Sequence, residues 1–456
     1  MFFSMALALT AQAEGDVRPA ADRAGSVQKN ERAAEPAVPK PTKVPEIPTQ
    51  PVRPTRDDPH LLGSWGGIRP ALIDHGITPR VVYLSETAAA LDGVSRRDAA
   101  NATQFAFGFT ADLQKLADLP GTFQFAINKR SGPRLDDLTG VHLLQFSQET
   151  WGRGRIWRLA QAWYQVSLGK WTLKAGRTAP NEDFNSAACD FQSLYLCGTA
   201  SGHIAADYWY NYPSSSWGGR IKYALRSDLT LQAGLYQVNP LNIDPSGRGF
   251  NLNFSRGTGV LAPVEIAFTP KPGGQPGLYK AGFFFSNARR PDVVLDTNGD
   301  YRALTGAAAL IRREQWGLFG NIKQQLQSPR PDGSHRLSLF ANGTWISNQT
   351  ETLAGKVAGG LQYTGLVRGR PIDELGIGIG MGKVNDRLSR LQQLLKYRGF
   401  AGTVVQSTEY TVELYYGINI VEGLVIRPNV QYTIQPTGDA HRSPLTVLGL
   451  KTVATF

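Results

Sequence analysis

Many side chains that could engage a small polar molecule recur at every second position of this sequence. In TFQFAINKR, Gln124, Asn128 and Arg130 alternate with Phe123, Phe125 and Ile127, and in RIKYALR, Arg220 and Lys222 do the same. Lys174 holds an equivalent phase in its own run. Towards the end, EYTVELYYGINIVEGLVIRPNVQYTI sets Glu413, Arg427 and Gln431 against Leu414, Tyr416, Ile418, Leu424, Ile426, Val430 and Tyr432. These groups donate and accept hydrogen bonds or carry charge, which suits weak, reversible contact with a small polar molecule. The segment 178–216 adds Asp183, Asp207, Tyr208, Trp209 and Tyr210, acids and rings against which C–H faces can stack. Arg177, in the GR…EDF motif just before it, belongs to the same set.

Covalent chemistry finds less support. The six histidines, His60, His75, His142, His203, His335 and His441, fall mainly in turns and loops and read as solvated. None stands in a G-x-S-x-G or H-E-x-x-H setting, so an enzyme is not expected. Cys189 and Cys197 are the two cysteines, and a disulfide formed in an oxidising compartment is preferred over two free thiols. No further Cys or close His cluster completes a tetrahedral metal site, and no cofactor is expected. The net charge is +11, yet Lys and Arg are scattered singly and build no nucleic-acid motif.

The elements that must carry the alternating residues are strands. TQFAFGFTADL puts Phe105, Phe107 and Phe109 on one face and Gln104, Thr110 and Asp112 on the other, and the pattern returns along the chain at about ten-residue lengths. Sixteen strands are expected, among them 101–114, 313–325, 408–419 and 424–434. An even number brings both termini to one side. Every second connection is then short (LADLPG, LGK, RSD, KPGGQPG, SPRPDGS, LVRGRPID, IVEG) and the others are mostly long. That is the layout of an all-β, sixteen-stranded antiparallel transmembrane β-barrel, apolar towards lipid and polar towards a wet lumen. A β-sandwich with one solvated face also alternates, but it does not call for so many outward aromatics near strand ends. Pro428 fits neither arrangement without a local bulge. Before the barrel, 1–13 reads as a signal segment with a cut after Ala13, 14–59 as a disordered Pro/Ala-rich linker, and 60–76 as a short helical approach to the strands at 77–456.

LLGSWGGIRPALIDHGI at Leu61–Ile77 resembles the opening of the carbohydrate-selective outer-membrane porins, the OprB family. The resemblance continues through FTADLQKLADLPGTFQFAINKRSG, RLAQAWYQVSLGKWTLKAGRTAPNEDF, the stretch around Cys189 and Cys197, GRPIDELGIGIG and the run from Glu409 to Ile434. It implies gradient-driven passage of monosaccharides and polyols through an integral outer-membrane barrel, with the helix at 60–76 on the periplasmic side and no cofactor. Sugars, membrane lipid and, through the terminal Phe456, the barrel-assembly machinery are the implied partners; a homo-oligomer stays open. AWYQ at Ala162–Gln165 lacks an acidic residue expected nearby, and the inward-phase Arg and Lys side chains make a general or anion-preferring porin passing sugar acids or other small anions the alternative. The long segment 178–216 is expected to fold into the lumen, tied by Cys189 and Cys197, with Asn128, Arg130, Lys174, Arg177, Asp183, Trp209, Arg220, Lys222, Glu413, Arg427 and Gln431 as candidate wall groups.

Overall fold

The structure, a computed structural model, describes residues 60–246 and 249–456; the expected signal segment and linker lie outside the described residues. Its strands are β1 (Ile77–Ala90), β2 (Ala99–Asp112), β3 (Thr122–Ser131), β4 (Trp157–Leu168), β5 (Trp171–Thr178), β6 (Ser216–Arg226), β7 (Leu229–Val238), β8 (Gly259–Phe268), β9 (Gly277–Ser286), β10 (Arg290–Asp296), β11 (Ala309–Arg312), β12 (Gln315–Gln327), β13 (Leu337–Ile346), β14 (Leu353–Thr364), β15 (Glu374–Val384), β16 (Thr408–Val421), β17 (Leu424–Ile434) and β18 (Leu445–Thr455). All but β10 and β11 form one closed sheet, in which each strand pairs antiparallel with its neighbours and β1 meets β18. Closure satisfies every strand's ladder without an edge, as a span through hydrocarbon requires.

The helices are short: α1 (Ile68–Asp74), α2 (Leu113–Ala117), α3 (Leu135–Thr139), α4 (Pro180–Asp183), α5 (Ala200–Ile204), α6 (Arg302–Thr305) and α7 (Asp386–Tyr397). α1 packs at the start of β1 on the rim of short connections, where the Lys115 ammonium donates to the Ile73 carbonyl over 3.4 Å. The small β10–β11 sheet and α7 sit on the long-loop side, tied together where Arg387 and Arg312 converge on Asp292. The sequence pattern gave no sign of either. β11 is separate from β12, so the residues after Asp300 do not extend the barrel strand.

The register fixes which face each side chain takes. Glu413 opposes Gln431 and Gly378, and Arg427 opposes Lys451, all on the inner face. Lys174 opposes Arg220, and Thr172 opposes Lys222, also inward. Outside stand exposed Phe105, Phe283, Trp316, Trp345, Leu414 and Tyr432. Pro428 points outward with them. Its ladder with β18 is continuous through Leu450, whereas pairing with β16 is interrupted between Tyr415–Asn429 and Ile418–Ile426. The missing N–H of proline therefore falls at a local break on the β16 side, which accommodates it within a central strand.

β15 shows how the sequence shapes the interior. In ELGIGIGMGKV, Leu375, Ile377, Ile379 and Met381 face out, and Gly376, Gly378, Gly380 and Gly382 face in. A methyl at Gly378 would come within 2.8 Å of the Leu196 Cδ2 atom, and one at Gly380 would meet the Tyr195 side chain. The bare inner face is thus the seat of a segment folded inside the barrel. Gly380→Val should lift that segment off the wall at a cost of about 1–3 kcal/mol, read as faster proteolysis between residues 179 and 215 in the membrane-inserted protein. Ile379→Val, one position away but facing outward, should leave the proteolysis rate unchanged.

Candidate functional site

Two long connections turn inward instead of outward: 132–156, between β3 and β4, and 179–215, between β5 and β6. A loop inside a barrel carries N–H and C=O groups that water no longer serves, so the wall must supply partners. It does so with charged side chains. The Glu413 carboxylate accepts the N–H groups of Gln192 (2.8 Å) and Ser193 (2.7 Å). Glu409 accepts the Leu144 N–H and the Tyr195 hydroxyl, both at 3.0 Å, and so holds both loops at once. Lys451 donates to the Phe191 carbonyl (2.8 Å), and Lys356 donates to the Leu194 carbonyl (2.5 Å). Asn185, further back, places its N–H on Glu265 at 2.7 Å. The nine residues from Cys189 to Cys197 are closed by a disulfide, so these contacts fasten one compact ring to β14, β16 and β18.

A second anchor lies where the loop leaves β5. Lys174 bridges Glu182 (2.9 Å) and Asp183 (3.0 Å), and Arg220 reaches Asp183 at 2.7 Å. The Trp163 indole N–H and the Tyr236 hydroxyl complete the cluster on Glu182 and Asp183. Burial opposes ionisation of Asp183, but Lys174 and Arg220 override it and hold its carboxyl down at about 2. Phe184, Trp209, Phe284 and Phe319 then pack as an aromatic cluster behind the loop, with the Trp209 and Phe284 ring centroids 5.1 Å apart.

The expected wall residues consequently fall into distinct groups. Lys174, Asp183 and Arg220 meet in the anchor just described. Arg427 pairs with Asp190 at 3.0 Å, Gln431 donates to the Ser147 carbonyl, and Glu413 grips the disulfide ring. Trp209 is fully buried. Arg177 lies in the outward phase of β5 and is covered, donating to the Ser215 carbonyl and to Asn242. Asn128 donates to the Tyr212 hydroxyl at 3.3 Å, and Lys222 is half-buried on the inner face nearer the short-turn rim.

Beside the loops, Arg130 retains access: its side chain is 12% exposed and Glu149, 3.7 Å away, 13%. Arg130 also donates to the carbonyls of Glu149 and Trp151 and to Gln104. Glu149 leads on to Lys451 (3.5 Å) and Lys451 to Glu86 (3.0 Å), so charge alternates from the opening back into the wall. Burial raises the Tyr212 hydroxyl above its ordinary range, against the opposing pull of Arg80, Asn128 and Arg130. Arg153 and Arg158 lie near Arg130, and Arg158 donates to the Asn242 and Asp244 carbonyls. Cations, one acid and a phenol thus stand together where the two inward loops meet β3.

Sequence reasoning missed Glu86, Glu149, Lys356, Glu409 and Lys451 as anchors. Glu409 stood in the same phase as Glu413 and could have been found by it; Glu149 sits in an irregular loop with no period to give it away. His203, expected in solvent, is half-buried against Lys356, with Nδ1 2.7 Å from the ammonium. Lost hydration, then Lys356 and Arg130, push it well below its ordinary range, so it stays neutral.

Comparison with known proteins agrees with this geometry. Residues 96–456 match the family model described as "Carbohydrate-selective porin, OprB family". Porin B of Pseudomonas aeruginosa is 37% identical over 415 residues, covering 87% of this chain and 91% of that protein. The putative porin QuiX of Acinetobacter baylyi is 33% identical over 420 residues, with 87% and 93% covered. The high-pH structure of Pseudomonas putida OprB superposes with a TM-score of 0.84 at 35% identity, over 88% of this chain and 99% of that one. An inward-narrowed sixteen-stranded barrel and similarity along most of its length lead to one conclusion: this chain is an integral outer-membrane protein belonging to the carbohydrate-selective porin family, OprB.

Proposed function

We propose that this barrel lets monosaccharides and small polyols diffuse down their gradient, with Arg130, Glu149 and Tyr212 as the groups that meet the solute. The observation that supports the reading is a closed barrel into which two wall-anchored loops turn, with Arg130 and Glu149 where the first of them meets the wall and both still partly accessible. A sugar hydroxyl can accept from Arg130 while donating to Glu149, and the fixed partners of both spare the channel any large rearrangement for each passage. Binding of this kind is weak enough for release, and the work done is that of a channel rather than an enzyme. Lys222, below the opening, offers a further donor on the way out. The Phe456 N–H donates to the Val81 carbonyl at the β1–β18 seam.

A second reading, preference for sugar acids or other small anions, draws on the closeness of Arg130, Arg153 and Arg158. Reversal potentials in a salt gradient separate the two. Weak anion preference with glucose block supports the sugar channel; strong anion selectivity without glucose block supports the rival.

Three outcomes are expected. Liposomes carrying the protein should swell in glucose and much more slowly in a disaccharide; no swelling in glucose contradicts the proposal. Arg130→Gln should weaken glucose block of single-channel current by about tenfold, the effect of losing one charge-assisted hydrogen bond, without changing barrel stability against heat in detergent. The Asp183 anchor sets a pH limit. Its carboxyl is depressed when folded, so its stabilisation is complete above the ordinary carboxylate range near 3.9 and fades as pH falls through about 2. Channel current should therefore stay steady down to about pH 4 and become unstable below it, whereas Asp183→Asn should be unstable already at neutral pH.

A further inference from the structure

One segment of the long-loop side does not turn inward. Residues 249–255 lie against the outer wall, held by side chains that point away from the lumen. Trp217 on β6 and Gln237 on β7 both face outward: Gly218 pairs with the inner-face residue Tyr236, and Gln237 pairs with Val260. The Trp217 indole N–H donates to the Leu252 carbonyl and the Gln237 amide to the Phe254 carbonyl, each at 2.9 Å. Phe254 stacks on Trp217 with ring centroids 5.0 Å apart and planes 12° from parallel.

Within FNLNF the side chains alternate. Phe250, Leu252 and Phe254 are 53%, 53% and 66% exposed, while Asn251 turns back to donate to the Asn242 amide oxygen at 3.0 Å. The same Asn242 oxygen receives the Arg177 guanidinium at 3.3 Å. This explains an otherwise awkward residue. Arg177 occupies an outward phase that continues into hydrocarbon, where an uncovered guanidinium is costly; the segment and Asn242 cover it to 2% exposure.

We infer that residues 250–254 form a strap whose apolar side chains insert among the acyl chains of the outer leaflet, raising the apolar band over β5–β7 and sealing Arg177 from lipid. The occupant follows from continuity. Leu235, the next outward residue towards the opposite rim on β7, and Ile221, which follows the side-chain-less Gly219 on β6, are 57% and 43% exposed and belong to the lipid-facing band itself. Three large apolar groups in a row beyond them, rimmed by the exposed Arg256, extend that band without a gap.

The test uses the full barrel with its native disulfide intact, so that a single introduced cysteine is the reactive thiol. Leu252→Cys carries a polarity-sensitive fluorophore in liposomes, with Leu231→Cys on the lipid-facing side of β7 and Thr297→Cys in the turn after β10 as references. The proposal expects Leu252→Cys to emit like Leu231→Cys and to be quenched several-fold more by lipids brominated on their acyl chains than by aqueous iodide. Quenching like that of Thr297→Cys overturns it. So does energy transfer between copies labelled at position 252 that persists as the protein is diluted in lipid, since the strap would then face a second copy of the chain. Because this readout requires no solute, it stands or falls apart from the sugar-diffusion reading.

Discussion

A loop placed inside a membrane barrel must have its backbone polar groups answered by the wall, and in this protein charged side chains give that answer. Glu413 and Glu409 accept from N–H groups, and Lys451 and Lys356 donate hydrogen bonds to carbonyls. A charge-assisted hydrogen bond is roughly twice as strong as a neutral one, and each is further strengthened by burial away from bulk water. These bonds decide where the disulfide ring from Cys189 to Cys197 sits in the bore.

The barrel supplies the frame for this arrangement in two complementary ways. Where the loop needs a handle, an inward position carries Glu, Lys or Arg; where it needs room, as along β15, an inward position carries glycine. The outer face of the same strands is indifferent to both demands and stays apolar. One period of two therefore encodes the membrane surface and the seat of the loop together. The outer-wall strap over Arg177 applies the same logic in reverse, covering a charge that the period would otherwise aim at lipid.

Much of this was legible in the amino-acid order. The strands stand where alternation put them, with 408–419 running on to Val421 and 424–434 matching β17 as it is. The inward phase of Asn128, Arg130, Lys174, Arg220, Lys222, Glu413, Arg427 and Gln431 could be read for the same reason. What alternation cannot convey is which inward group reaches a loop and which is left facing the passage. Glu413 and Arg130 look alike in their strands, yet one is consumed by two backbone N–H groups and the other remains accessible. That distinction depends on the path of 132–156 and 179–215, which have no period. The β10–β11 sheet and α7 escaped notice because they lie in long connections, where turn residues mask short regular runs.

The most direct measurement is the size of polymer that a single channel excludes, before and after Glu413→Leu, which removes both acceptors under Gln192 and Ser193 while keeping the side chain's bulk. If the wall's charged bonds set the bore, the variant should still insert as a barrel but pass larger polyethylene glycols, with noisier current. An unchanged exclusion limit in a correctly folded variant would contradict the account, since the opening would then be fixed by something other than the bonds that hold the loop.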